Sequence, residues 1–124
     1  MLWSFLALLV THWFADFVLQ THWQASNKSK NNVALLRHVM VYTAVIGAVS
    51  FMLFALPDRS QAWLAFVWAN GVLHFATDYC TSRWSSHLYA KQNWHNFFVV
   101  IGFDQLIHQI SLAATMWLLF YRYV

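Results

Sequence analysis

The stretch Val33–Leu56, VALLRHVMVYTAVIGAVSFMLFAL, decides the fold, because it is as long and apolar as the ~20 residues that a helix needs to cross a bilayer. Three more apolar runs lie at Leu2–Gln20, Ala62–Cys80 and Phe97–Phe120. Of the 124 residues, 60% are hydrophobic and only 9% are charged, which argues against an ordinary soluble domain. Because backbone groups in lipid must pair internally, we expect an all-α bundle of four transmembrane helices, forming one integral membrane domain over residues 1–124.

The connections between these spans differ in positive charge, which predicts their orientation. Five basic residues lie in or beside the first and third connections, and two lie on the opposite side. These are Lys28, Lys30, Arg37, Arg83 and Lys91, against Arg59 and Arg122. By the positive-inside rule, the first and third connections face the cytoplasm and both termini lie outside. The third connection is also long and contains Trp84, Leu88, Tyr89 and Trp94, which predicts a short interfacial helix between the third and fourth spans.

Seven histidine and aspartate side chains interrupt the apolar spans. They are His12, Asp16, His38, His74, Asp78, Asp104 and His108. A charge at the bilayer centre costs at least ~2.5 kcal/mol, so such residues normally face the bundle interior and have partners or a function. Six of the seven form His/Asp pairs spaced four residues apart, which places each pair on one helix face. In the predicted orientation every aspartate lies on the cytoplasmic side of its histidine, so the aspartates form one level and the histidines a deeper one. In the second span, His38 lies at the level of the aspartates and Tyr42 at the level of the histidines. All seven can therefore meet within roughly 15 Å of the cytoplasmic helix ends.

Imidazole and carboxylate groups from facing helices are the usual ligands of buried metal sites in four-helix bundles. The mixed nitrogen and oxygen set predicts a divalent transition metal, Zn, Fe or Mn, and the number of donors allows one ion or two. All seven ionisable residues are predicted ligands. Asp16, His38 and Asp78 are also candidate catalytic residues, because a group not fully engaged by the metal can accept a proton from water.

Three further residues are candidates for substrate binding. Arg37 and Arg83 can attract a phosphate or lipid headgroup to the cytoplasmic mouth, and Tyr42 can hold a substrate or orient a ligand. The favoured function is thus a metal-dependent enzyme, a hydrolase that acts on a lipid or lipid-linked substrate at the cytoplasmic leaflet. A redox enzyme with two iron ions fits the same ligands.

Other classes of function stay open. The same His/Asp cluster could relay protons or cations across the bilayer, or each pair could simply clamp two helices. A non-catalytic accessory protein or phage exclusion factor would use the aromatic third connection as its partner surface. The scattered basic residues form no stripe that favours nucleic acid as a partner, and the single Cys80 allows no intrachain disulfide. The oligomeric state does not follow from the sequence.

Four stretches carry a family resemblance. They are His12–Lys28 (HWFADFVLQTHWQASNK), Leu35–Thr43 (LLRHVMVYT), His74–Arg83 (HFATDYCTSR) and Gly102–His108 (GFDQLIH). With them the chain resembles, over nearly its whole length, the membrane proteins of domain-of-unknown-function family 3307. The resemblance implies a small bacterial or phage protein that crosses the inner membrane several times, and it supplies no activity. The His/Asp segments are also similar to those of proteins named as predicted membrane-bound metal-dependent hydrolases.

Overall fold

A computed structural model describes residues 1–54 and 57–122, and it contains helices and turns but no strand in those ranges. The helices are α1 (Leu2–Trp13), α2 (His22–Asn27), α3 (Asn32–Phe54), α4 (Ser60–Ala90) and α5 (Trp94–Met116). A π-helical turn continues α1 over Phe14–Val18, another continues α5 over Trp117–Tyr121, and a 3₁₀ turn at Pro57–Arg59 precedes α4. The predicted all-α fold is confirmed, while the predicted end of the second span at Leu56 lies outside the described residues.

The four long helices pack in a ring, in which α1 and α4 each contact both α3 and α5. At one end of the ring, the Ser4 hydroxyl at the start of α1 lies 3.3 Å from the Tyr121 hydroxyl after α5. At the other end, Arg83 of α4 donates to the Asn32 side chain at the start of α3, at 2.7 Å. Neighbouring helices therefore run antiparallel, and the first and last described turns share one end of the bundle.

Two helices of the described chain are long and apolar enough to cross a membrane, namely α3 and the continuous segment Trp94–Tyr121 that includes α5. The first helical segment, Leu2–Val18, is apolar but shorter. Helix α4 is the longest helix, yet it does not reach the same apolar content, because serine, threonine and ionisable residues follow one another in its second half.

The interfacial helix predicted between the third and fourth spans is wrong as a separate element, because α4 continues without a break to Ala90. No proline or glycine interrupts this part of the chain. The helix ends where Gln92 adopts a left-handed backbone with φ 54°. There Asn93 N–H donates to the Leu88 carbonyl and Gln92 N–H to the Tyr89 carbonyl, both at 3.0 Å, which is the pattern of a Schellman cap.

The first connection contains the short helix α2, for which the sequence analysis made no prediction. Gln24 N–H donates to the Thr21 hydroxyl at 3.2 Å, and Thr21 N–H donates to the Gln24 side chain at 2.9 Å. This reciprocal capping box starts α2, which packs against α3. The turn after α2 brings Lys28 towards α4, so this connection takes part in the interior of the bundle.

The interior divides into two halves. We call the end that holds the chain termini the apolar half, and its fully or nearly buried side chains include Leu8, Phe54, Phe66, Leu112 and Phe120. Phe54 stacks on Phe120 with ring centroids 4.3 Å apart. We call the opposite end the polar half, and it contains four histidines and three aspartates, namely His12, Asp16, His38, His74, Asp78, Asp104 and His108. The buried histidine and aspartate side chains, which could bind a metal, therefore lie at one end of the bundle.

Candidate metal centre

The seven ionisable residues meet in the polar half, as their spacing predicts. Six of them are almost completely buried, with His38 and His74 at 0% and 1% exposure, and the Asp104 side chain is 13% exposed. Asp16 lies in the π-helical turn after α1, a wider kind of turn that is common at functional sites. Since α1, α3, α4 and α5 each contribute at least one member, only the folded bundle assembles the cluster.

The first candidate metal group consists of Asp16, His38, His74 and Asp78, whose ligand atoms all lie within 4.8 Å of one another. His38 Nε2 lies 2.9 Å from Asp16 Oδ1, 3.2 Å from His74 Nε2 and 3.4 Å from Asp78 Oδ2. One ring nitrogen carries at most one hydrogen, so it cannot hydrogen-bond to all three neighbours at once. Four electron-pair donors this close together are suited to a cation.

The spacing of these atoms fits a transition metal. Ligands of a tetrahedral ion at bond lengths of ~2.1 Å lie ~3.4 Å apart. Two further distances, from His74 Nε2 to Asp16 Oδ1 and to Asp78 Oδ2, are 3.4 and 3.8 Å. In one respect the group departs from typical sites: the Nδ1 atoms of His38 and His74 are buried without a hydrogen-bond partner among the described residues. Ligating histidines usually donate through that second nitrogen.

A second candidate group shares a residue with the first. It consists of Asp16, Asp104 and His108. His108 Nε2 lies 3.5 Å from Asp104 Oδ2 and also 3.1 Å from Asp78 Oδ1, so it connects the two groups. Thr81 donates a hydrogen bond to the other oxygen of Asp104. Because Asp16 belongs to both groups, the arrangement can hold one ion or two.

His12, a predicted ligand, lies in the cluster but outside both metal groups. Its Nε2 is 3.0 Å from the Gln105 side-chain oxygen and 3.8 Å from Asp16 Oδ2. An amide oxygen only accepts, so Nε2 of His12 donates this bond. The Gln105 amide nitrogen in turn donates to Asp16 Oδ2 and Asp104 Oδ2, each at 3.0 Å. His12 therefore supports two aspartates through Gln105.

Lys28 is the residue of the site that the sequence analysis missed. Its ammonium donates to Asp78 Oδ2 at 2.8 Å, and its side chain is only 18% exposed. Burial alone would lower the pKa of Lys28, but the charges of Asp78 and Asp16 outweigh it, so the pKa lies above its ordinary value. The sequence analysis counts Lys28 only among the positive charges of the first connection. The available signal was the Thr21-x-x-Gln24 capping pattern, which predicts the start of a helix in this connection.

The three predicted substrate-binding residues have different environments. Tyr42 is buried in the cluster and stacks on the His74 ring, with centroids 3.8 Å apart, at the level that its spacing predicts. Arg37 lies over the Trp23 ring at 5.5 Å, and Arg83 lies over the Tyr79 ring at 3.7 Å. The structure thus brings Tyr42 into the polar half and leaves both arginines on its outer side.

A cleft of about 460 Å³ opens beside the cluster. It lies between the turn after α2, the end of α4 and the start of α5, and both Asp78 and Asp104 line it. Since each of these aspartates belongs to a candidate metal group, molecules that enter the cleft reach the edge of the cluster. We refer to this space as the serine cleft, because Ser26, Ser29, Ser82, Ser85 and Ser86 contribute to its lining.

A family model described as "Protein of unknown function (DUF3307)" matches residues 4–123, a range that includes every member of both metal groups. No curated protein and no solved structure matches the chain.

Proposed function

The chain belongs to the family of proteins of unknown function DUF3307, and from the chemistry of its buried site we propose that it is a membrane-bound metalloenzyme. It binds one or two divalent transition-metal ions, Zn, Fe or Mn, and hydrolyses a lipid or lipid-linked substrate at the cytoplasmic leaflet. The observation that carries this proposal is the convergence of Asp16, His38, His74 and Asp78 within 4.8 Å. Seven buried or nearly buried ionisable groups exceed what helix clamping needs.

We further propose that all four long helices cross the bacterial inner membrane as one domain. Large apolar side chains on the outer surface support this, for example Trp3, Met52 and Trp68 with exposures of 81%, 78% and 73%. Such residues on every face would be unfavourable in water and are favourable in contact with acyl chains. The more polar α4 is compatible with lipid because His74 and Asp78, the His and Asp residues of its predicted span, are buried inside the bundle.

The proposed chemistry assigns roles by position. Four ligands would hold the principal ion, namely Asp16, His38, His74 and Asp78. The second group would consist of Asp104 and His108 together with the shared Asp16. A bound ion supplies Lewis acidity and lowers the pKa of a coordinated water towards neutrality. Asp78 is the proposed base, since its carboxylate borders both the metal group and the serine cleft. Tyr42 and Gln105 are positioning residues, because they contact the ligands and lie behind them.

Transport by the same cluster is less well supported. A proton or ion path needs polar groups along the whole bundle, and the apolar half offers few. There the Asn70 amide donates to the Thr115 hydroxyl at 2.9 Å and to the Phe66 carbonyl at 2.8 Å, so its hydrogens are already used.

Elemental analysis of detergent-purified protein tests the metal site. We expect a stoichiometric transition metal in the wild type and loss of most of it in Asp16→Asn and His74→Ala. Asp58→Asn and His87→Ala are matched controls, because these side chains are exposed and lie outside the cluster. A folded wild type that takes up no Zn, Fe or Mn contradicts the proposal. Iron alone would favour oxygen chemistry over hydrolysis.

The reaction class needs a separate measurement. Metal-loaded protein in vesicles of bacterial polar lipids should produce hydrolysed lipid species, detected by mass spectrometry, and a chelator should stop their formation. Unchanged lipids in the presence of a metal-loaded site would exclude those lipids as substrates and restrict the supported function to metal binding.

Cysteine labelling tests the proposed topology. In a Cys80→Ser background, we expect a membrane-impermeant maleimide to label Asp58→Cys in intact cells and Gln92→Cys only after the membrane is opened. The opposite pattern would invert the orientation and place the cluster near the outer leaflet.

A further inference from the structure

The serine cleft has the composition of an anion site. Besides its five serines it is lined by Lys28 and Lys30, and these side chains supply ammonium and hydroxyl donors to one space. The Ser82 hydroxyl oxygen is buried and has no hydrogen-bond partner among the described residues. Phosphate oxygens are strong acceptors that pair with such donors.

The charge of the cleft depends on the metal. Without an ion, Lys28 and Lys30 are balanced by Asp78 and Asp104, the two acidic residues in the lining. A divalent cation would change this balance by two positive charges and would engage Asp78, which now accepts from Lys28 at 2.8 Å. The Lys28 ammonium would then lose its partner and be repelled by the ion, which leaves it available to an anion in the cleft.

One wall of the cleft is apolar. It is formed by Tyr89 of α4 and by Phe97 and Ile101 of α5, whereas Lys28 and Lys30 belong to the turn after α2. A ligand that fills the cleft would therefore place a charged head beside the lysines and a hydrocarbon part along these side chains. Because α5 is one of the helices able to cross a membrane, this wall would continue towards lipid.

We propose that the serine cleft binds the phosphate group of a phosphate ester, and that it does so only when the adjacent metal group is filled. This inference rests on the proposed metal function and adds the chemical class of the substrate. The apolar wall favours a lipid-borne phosphate over free phosphate. Lys28 and Lys30 provide the charge, and the serine hydroxyls orient the phosphate oxygens.

Binding measurements on the full-length protein in detergent test the inference. The probes are short-chain phosphatidic acid, the matching uncharged diacylglycerol, and inorganic phosphate, each with Zn²⁺-loaded and metal-free protein. We expect phosphatidic acid to bind the Zn²⁺-loaded protein at least about tenfold more tightly than it binds the metal-free protein. It should also bind the loaded protein at least about tenfold more tightly than diacylglycerol does. Equal affinity for inorganic phosphate would identify free phosphate as the source and overturn the lipid assignment.

Lys30→Gln is the decisive variant, because Lys30 is exposed and lies outside both metal groups. We expect it to weaken phosphatidic acid binding about three- to tenfold with unchanged metal content. Lys91→Gln, which removes an exposed lysine that does not line the cleft, should change neither quantity. Metal content in the same samples separates the outcomes. If the metal-loaded protein binds neither phosphatidic acid nor inorganic phosphate, this inference alone is overturned. If the protein takes up no metal, both proposals are overturned.

Discussion

At the end of the bundle that holds the termini, Phe54 stacks on Phe120 at 4.3 Å, whereas at the other end His38 and Asp16 approach to 2.9 Å. The same four helices form both halves. In the apolar half, stability comes from van der Waals packing of large rings, which loses much when one ring is removed. In the polar half, each ionisable group depends on partners from other helices, so loss of one partner leaves a buried charge unpaired. The first half thus contributes packing, and the second brings together the side chains of the proposed metal site.

The largest effect that we expect in the apolar half follows Phe66→Ala. Phe66 is fully buried and contacts the rings of Phe54 and Phe120, so its truncation leaves a cavity. The free energy of unfolding, measured by denaturant titration in mixed micelles, should fall by about 3–5 kcal/mol. Metal content per folded protein should stay at the wild-type value. A parallel loss of metal would show that the two halves are not separable.

Metal removal is the corresponding change in the polar half. An ion supplied at 100 times its dissociation constant stabilises the folded state by ~2.7 kcal/mol. A chelator should therefore lower the free energy of unfolding of the wild type by about that amount under those conditions. Asp16→Asn should show almost no chelator effect, since Asp16 belongs to both metal groups. An equal effect in this variant would place the ion elsewhere.

A substitution at the contact of α3 and α4 tests packing without touching a ligand. In Gly71→Ala the new Cβ would lie 2.8 Å from the Thr43 hydroxyl oxygen, so either the Thr43 side chain or the helices must shift. We expect a loss of about 1–3 kcal/mol in the free energy of unfolding. Gly102→Ala is the matched control, because its Cβ would meet nothing within 4 Å and should not destabilise the protein. Similar losses in both variants would point to a backbone effect.

The smallest expected effect concerns the lysine that faces the cluster. Lys28→Met removes the ammonium that bonds to Asp78, so an ion no longer competes with it for that oxygen. Metal affinity, measured by competition with a chelating dye, should rise about tenfold, or ~1.4 kcal/mol. Lys30→Met should leave the metal affinity near the wild-type value. Weaker binding in Lys28→Met would mean that Lys28 holds Asp78 in a ligating position.

Much of the polar half could be predicted from spacing. The pairs His74/Asp78 and Asp104/His108 lie on single helix faces, because positions four apart follow one another on any α-helix. The same helix spacing places Tyr42 at the depth of His74, on whose ring it stacks. The predicted span Ala62–Cys80 is shorter than α4, because the apolar run ends at Cys80 whereas the helix continues to Ala90. Only the left-handed backbone of Gln92 ends it.

The sequence by itself determined that this protein is helical and that its ionisable residues share a few helix faces, because helix periodicity and apolar runs are local properties of the chain. Only the tertiary structure decided which atoms meet. Two contacts depend on how the four helices and the first connection pack. They are the hydrogen bond of His12 to Gln105 and the ion pair of Lys28 with Asp78. Contacts between residues distant in the sequence are set by that packing and have no periodic signature along the chain.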